Sequence, residues 1–155
     1  MALKFSVSGR IAKPVAEVFA AVADPAQLSR YFTTGGASGP LVAGATVTWD
    51  FADFPGAFPV WVEEVVPNQR IVLWWGSADD GAEGEAAAPH DNKVTMTFEA
   101  LEDGRTLVTI TEEGWRETRK GIEASQGNVE GWTGMLIALK LWVERGINLR
   151  EGFYK

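Results

Sequence analysis

The chain has 155 residues, 46% hydrophobic and 23% charged, a composition that fits one folded globular domain over residues 1–155. A net charge of -7 supplies no basic stripe to displace counterions from phosphates, which argues against nucleic acid and against anionic membrane surfaces as partners. Without cysteine there is no disulfide, thiolate metal site or cysteine nucleophile; without a long apolar run or a cleavage signal in MALKFSVSGRIAKPV, no membrane insertion and a cytoplasmic location are expected.

The stretch LKFSVSGRI alternates Leu3, Phe5 and Val7 with polar neighbours and predicts a strand. KPVAEVFAAVAD follows, with Pro14 suited to a first helical turn and Val15, Val18, Phe19 and Val22 on one face. In DPAQLSRYF, Asp24 is placed to cap a second short helix with Pro25 at its first position. TTGGASGP breaks regular structure.

From there the periodicity becomes that of strands. ATVTWDF sets Val47, Trp49 and Phe51 on one side, and PVWVEEVV, RIVLWWG, KVTMTFEAL and RTLVTITEEGW follow, with PNQ and EDG as hairpin turns. Strands in succession without helices between them predict an antiparallel meander. A turn over 67–70 sets Val66 opposite Ile71, which aligns Val60, Val62, Glu64, Leu73 and Trp75 on one face. Trp61, Glu63, Val65, Val72 and Trp74 take the other, and one glutamate per face leaves open which is concave. GSADDGAEGEAAAPHD, 76 to 91, is acidic, lacks lysine and arginine, and reads as a long, mobile, solvated hairpin connection.

The closing segment, EGWTGMLIALKLWVERG, predicts a long helix ending near Gly146. At about 100° per residue, Val129, Trp132, Met135, Leu136, Leu139, Trp142 and Val143 form one apolar arc of roughly 140°, wide enough to cover an apolar sheet face. Gly131 lies beside this stripe and Gly134 farther round. Each weakens the helix by about 1 kcal/mol relative to alanine, so either close packing or space for a ligand is expected in return. Ile137 and Leu141, on the opposite side, read as tolerated exposure or as a small homodimer patch.

No catalytic motif stands out. The single histidine, His90, lies in the acidic stretch, where an exposed ring has nothing to fix it as a base. There is no metal-ligand spacing, nucleophile elbow, phosphate loop or dinucleotide fingerprint, and no metal or cofactor is expected. In TEEGWRETR the last strand brings Glu112, Glu113, Trp115 and Arg116 toward the helix; Trp115 and Arg116 suit a cavity mouth, and the charges suit a surface salt bridge.

Four segments in this order, IAKPVAEVFAAVADPAQLSRYF, EVVPNQRIVLWW, VTMTFEALEDGRTLVTITEEGW and GWTGMLIALKLWVERGINLR, resemble the Hsp90-ATPase-activator-homologue-like family of the START/Bet v 1-like (SRPBCC) superfamily, over nearly the whole chain. The resemblance implies an α+β helix-grip fold: a curved antiparallel sheet wrapped around a long C-terminal helix, with two short helices after the first strand. It also implies a hydrophobic cavity between helix and sheet. The expected function is binding of a small hydrophobic molecule, with Trp49, Phe51, Met96, Phe98, Trp115, Trp132, Met135, Leu136, Leu139 and Trp142 as the candidate lining. Two alternatives stay open. One is a regulator of an Hsp90-type chaperone, although 155 residues leave no room for the activator's additional N-terminal domain. The other is a cyclase- or hydrolase-type enzyme using Glu63, Glu64 or Glu113 in the same cavity.

Overall fold

The computed structural model describes residues 3–77 and 90–155; the acidic connection, from 78 to 89, lies outside the described residues. The elements run β1 (Leu3–Ile11), α1 (Val15–Ala23), α2 (Pro25–Tyr31), β2 (Gly36–Ala37), β3 (Thr46–Phe51), β4 (Phe54–Val66), β5 (Arg70–Gly76), β6 (Asp91–Ala100), β7 (Thr106–Trp115) and α3 (Arg119–Arg145). The seven strands form one antiparallel sheet in the order β1-β7-β6-β5-β4-β3-β2. This is the helix-grip architecture: β3 to β7 meander in sequence, β1 closes beside β7, and α3 lies across the curved sheet. Among the described residues, no helix is long and apolar enough to cross a membrane.

Local chemistry explains the helix ends. Asp24 Oδ1 accepts from the Ala26 N–H at 2.9 Å, with Pro25 at the first position of α2. Tyr31, fully buried at the end of α2, donates its hydroxyl to the Ala21 carbonyl of α1 at 2.9 Å, so the two short helices are tied as one unit. Burial pushes the Tyr31 hydroxyl well above its ordinary pKa. α3 starts ten residues before the apolar stripe, where Thr118 accepts from Gly121 N–H at 3.1 Å. It stops at Gly146, whose left-handed backbone (φ 68°) lets its N–H bond back to Trp142 O at 2.8 Å.

The β4–β5 register departs from the alternation drawn from sequence. The turn is tighter by one residue, so that Val66 pairs with Arg70 and Val65 with Ile71, and Asn68 takes the left-handed conformation at φ 63°. A bulge between Val62 and Glu64 then resets the phase. Val60 and Val62 face inward opposite Trp75 and Leu73, and Val65 takes the inward place that simple alternation gave to Glu64. Neither glutamate enters the interior: Glu63 is exposed, and half-exposed Glu64 accepts from Arg70 Nε at 2.7 Å.

The core lies between the sheet and α3, with Trp132, Met135, Leu136, Ala138 and Leu139 buried and Trp142 and Val143 packed at its border. α3 packs chiefly along β1 and β7 and touches α1 and α2. Its C-terminal half is also fastened by polar groups: Glu144 Oε2 accepts from the Ala12 N–H at 2.8 Å, and Lys140 donates to the Arg10 carbonyl at 3.0 Å. On the outer side of the helix Ile137 is half-exposed, whereas Leu141 is partly buried. Because the helix leans to the β1–β7 side, the space over β3, β4 and β5 has to be filled by something else.

Candidate functional site

Strand periodicity brings an acid to the border of that space. On β7 the inward row is Val108, Ile110, Glu112; on β6 it is Asn92, Val94, Met96, Phe98; on β5 it includes Leu73 and Trp75. Glu112 is therefore fully buried, and Asn92, equally buried, sits beside it opposite Trp75. From above, α3 presents Asn128 and Trp132, four residues apart and thus on one face.

Four of these side chains converge on the Glu112 carboxylate. Trp132 Nε1 donates to Glu112 Oε1 at 2.8 Å and Trp75 Nε1 to Oε2 at 2.8 Å. Asn92 Nδ2 reaches Oε2 at 3.1 Å, and Asn128 Nδ2 bridges both oxygens at 2.9 and 3.2 Å. All partners are N–H donors, the pattern that suits a carboxylate acting only as acceptor. Gly114 makes the approach of Asn92 feasible: its φ of 125° belongs to glycine, and a Cβ there would stand 2.7 Å from Asn92 Oδ1. The chain irregularity at this point also turns Trp115 inward, where it stacks on Phe5 with ring centroids 5.3 Å apart.

Beside this network lies a cavity of about 590 Å³, in the size range of small-molecule sites. Its wall is aromatic: Trp75 and Trp132 (centroids 5.1 Å apart), Phe32, Phe51, Phe54 and Tyr154. Gly127, Asn128, Glu130 and Gly131 of α3 complete one side and Arg150 the other. The two indole N–H groups are taken by Glu112, so these rings offer the cavity carbon and π-surface. A Cβ on Gly127 or Gly131 would meet nothing within 4 Å, so both glycines border open space. Gly134 differs: a Cβ there would lie 2.3 Å from the Tyr154 hydroxyl, so this glycine is the seat of the C-terminal segment.

That segment returns over the cavity after Gly146. Arg150 Nε and Nη2 both donate to Asp53 Oδ1, at 3.2 and 3.1 Å, with each side chain about nine-tenths buried. The guanidinium stands over the rings of Phe51 (4.6 Å), Tyr154 (5.1 Å) and Phe32 (5.6 Å).

The residues singled out from sequence fall in three places. Phe51 and Trp132 line the cavity. Trp49 stands directly behind it, fully buried and edge-to-face with Trp75 and Phe32. Met96, Phe98, Met135, Leu136 and Leu139 are packed in the core, Phe98 against Phe19. Trp115 is buried against Phe5, and Trp142 lies at the α2 side, its Nε1 3.4 Å from Gln27 Oε1. The buried acid is Glu112, not Glu63, Glu64 or Glu113, of which Glu63 is exposed and the other two are partly so. His90 is half-buried, its Nε2 2.8 Å from the Gly114 carbonyl, which corrects the expectation of an unfixed, exposed ring.

Sequence reasoning passed over Phe32, Phe54, Trp75, Asn128, Arg150 and Tyr154 as cavity residues. The phase of β7, carried from Val108 and Ile110 to Glu112, and the spacing of Asn128 and Trp132 were available signals. The residues after Gly146 carry no periodicity that assigns them to the site.

The chain matches the family model described as activator of Hsp90 ATPase homolog 1-like protein over residues 12–144. Among solved structures it is similar to a Staphylococcus saprophyticus protein, with 25% identity, TM-score 0.75 and 96% of each chain covered. It is also similar to a putative protein of the dynemicin biosynthetic locus, with 27% identity and TM-score 0.72; the match spans 92% of this chain but 48% of that one. The Aha1 protein of Colwellia psychrerythraea, solved as a dimer, shares the fold at 21% identity and TM-score 0.71, over 93% of this chain and 98% of that one. No curated protein matches the chain.

Proposed function

This chain belongs to the activator of Hsp90 ATPase homolog 1-like family, whose fold commonly binds hydrophobic ligands, and on that premise we propose that it binds a small aromatic molecule in the cavity beside α3. The observation that carries the reading is the paired turn of Trp75 and Trp132 toward Glu112. A buried indole wants a partner for its N–H. Here both are satisfied behind the wall, and the cavity meets only ring surface. Two helical glycines, Gly127 and Gly131, keep the facing side open at a cost of about 1 kcal/mol each in helix propensity. Glu112 acts as an anchor for the wall; its oxygens are fully engaged, so it positions the rings and does not act as an acid toward the ligand.

The test is calorimetric titration with naphthol, with Gly131→Leu as the blocked variant. The expected result is saturable binding by the unaltered protein and at least a tenfold loss in the variant. Equal binding by both, or none by either, sinks the reading.

A further inference from the structure

Resting on that reading, we infer that residues 147–155 form a releasable wall of the cavity, a strap that a bound guest holds down and that Asp53 latches. Arg150 and Tyr154 line the cavity, so the wall is complete only while the strap is docked. The segment lies beyond residues 12–144, the span matched by the family model.

Its backbone is not woven into the sheet. Among the described residues, the strap's amides bond only within the segment or to the end of α3. Ile147 N–H donates to Leu141 O at 3.3 Å and Phe153 N–H to Arg150 O at 3.1 Å. The Arg150 and Glu151 N–H groups donate to Asn148 Oδ1 at 3.1 and 3.3 Å. Lifting the strap therefore breaks no ladder hydrogen bond, the mark of a segment that opens without the rest. Gly146 and Gly152, at φ 68° and 72°, give it two points where the chain turns without a side-chain clash.

Side chains hold it in place. Only Leu149, Arg150 and Tyr154 turn partly inward, while Ile147 and Phe153 stay more than half exposed. Arg150 is clamped to Asp53, which sits in the turn between β3 and β4, outside the cavity wall. The Tyr154 ring lies 5.9 Å from that of Phe54, and Lys155 Nζ stands 4.6 Å over the Phe54 ring. Taking away Asp53 would leave a guanidinium without its counter-charge in a nearly dry position, which favours the lifted strap. A guest touching Arg150 and Tyr154 has contacts in the docked state that the lifted state lacks, and such a difference shifts the equilibrium toward docking.

The experiment is carboxypeptidase digestion of the full chain, followed by intact mass through the loss of Tyr154, with naphthol as the probe. Cleavage of a segment that opens and closes rapidly tracks its open fraction. The expected first products are shortened only within 147–155. Naphthol at about ten times its measured dissociation constant should slow the loss of Tyr154 by about tenfold, while a free peptide of the strap sequence in the same tube is cut at an unchanged rate. Asp53→Ala, checked for fold by circular dichroism, should speed the loss by about tenfold or more. An unchanged rate with naphthol bound overturns the inference while the cavity reading stands. So does digestion that runs into α3 with no strap-shortened product, or an Asp53→Ala rate equal to that of the unaltered protein. Absence of naphthol binding overturns the cavity reading and the inference with it. The naphthol arm on the unaltered protein decides without the variant.

Discussion

Trp132 Nε1 donates to Glu112 Oε1 at 2.8 Å, a hydrogen bond that crosses from the closing helix to strand β7 of the sheet. It makes one buried carboxylate the joint between the two layers, and Asn128, one turn earlier, repeats the contact. Removing the acceptor leaves four N–H-bearing side chains without it in a dry interior. Glu112→Leu is expected to destabilise the protein by about 3–5 kcal/mol, and Glu112→Gln by about 2 kcal/mol, since the amide satisfies part of the set. Urea unfolding at neutral pH measures both. A loss below about 1 kcal/mol for the leucine variant would contradict this role.

The two glycines of α3 separate space from packing. Gly131→Ala meets nothing, so it should stabilise the helix by about 0.5–1 kcal/mol. Gly134→Ala gains the same propensity but pushes the Tyr154 hydroxyl from its seat. Its signature is a loosened C-terminal segment: digestion by a carboxypeptidase should run faster in Gly134→Ala than in Gly131→Ala, and equal rates would speak against Gly134 as the seat.

Glu144 gives the fold an acid-sensitive fastening. Its surroundings push up, but the Ala12 N–H and the Lys140 ammonium outweigh that and hold its carboxyl below the usual glutamate range. A depressed folded value means that the stabilisation is complete above the unfolded value and is lost as pH falls below it through the folded one. Glu144→Gln should therefore be less stable than the unaltered protein at pH 7, with the gap closing as pH falls through the acid range in urea titrations. A gap independent of pH would refute the assignment.

The β4–β5 turn offers a conformational test. Asn68 sits at φ 63°, a conformation that a β-branched side chain resists. Asn68→Ile should lower stability by about 1–2 kcal/mol, whereas Asn68→Gly should leave it within about 0.5 kcal/mol. Thermal unfolding of the two variants side by side distinguishes backbone strain from loss of a side-chain contact.

Much of the frame was legible in the sequence. The stripe from Trp132 to Val143, the Asp24 cap and the Gly146 stop are local signals, and all describe the helices as found. The site was harder to read because it depends on where alternation slips. The bulge beyond Val62 exchanges Glu64 for Val65 on the inner face, and the irregularity at Gly114 lets Glu112 and Trp115 both point inward. Such shifts follow from packing across strands, which no single strand records. Arg150 and Tyr154 belong to the cavity only because the chain turns back after Gly146, a tertiary event with no helical or strand period behind it.

The close pairing of Trp75 and Trp132 also decides how this protein is to be watched. Of seven indoles in the chain, these two line the cavity, and their rings stand 5.1 Å apart with planes tilted by 33°. Chromophores that near share their electronic excitation, so they should give a paired band in circular dichroism that total emission, diluted by the other five, would obscure. A guest at their surface would change the shape of that band before it noticeably dimmed the fluorescence.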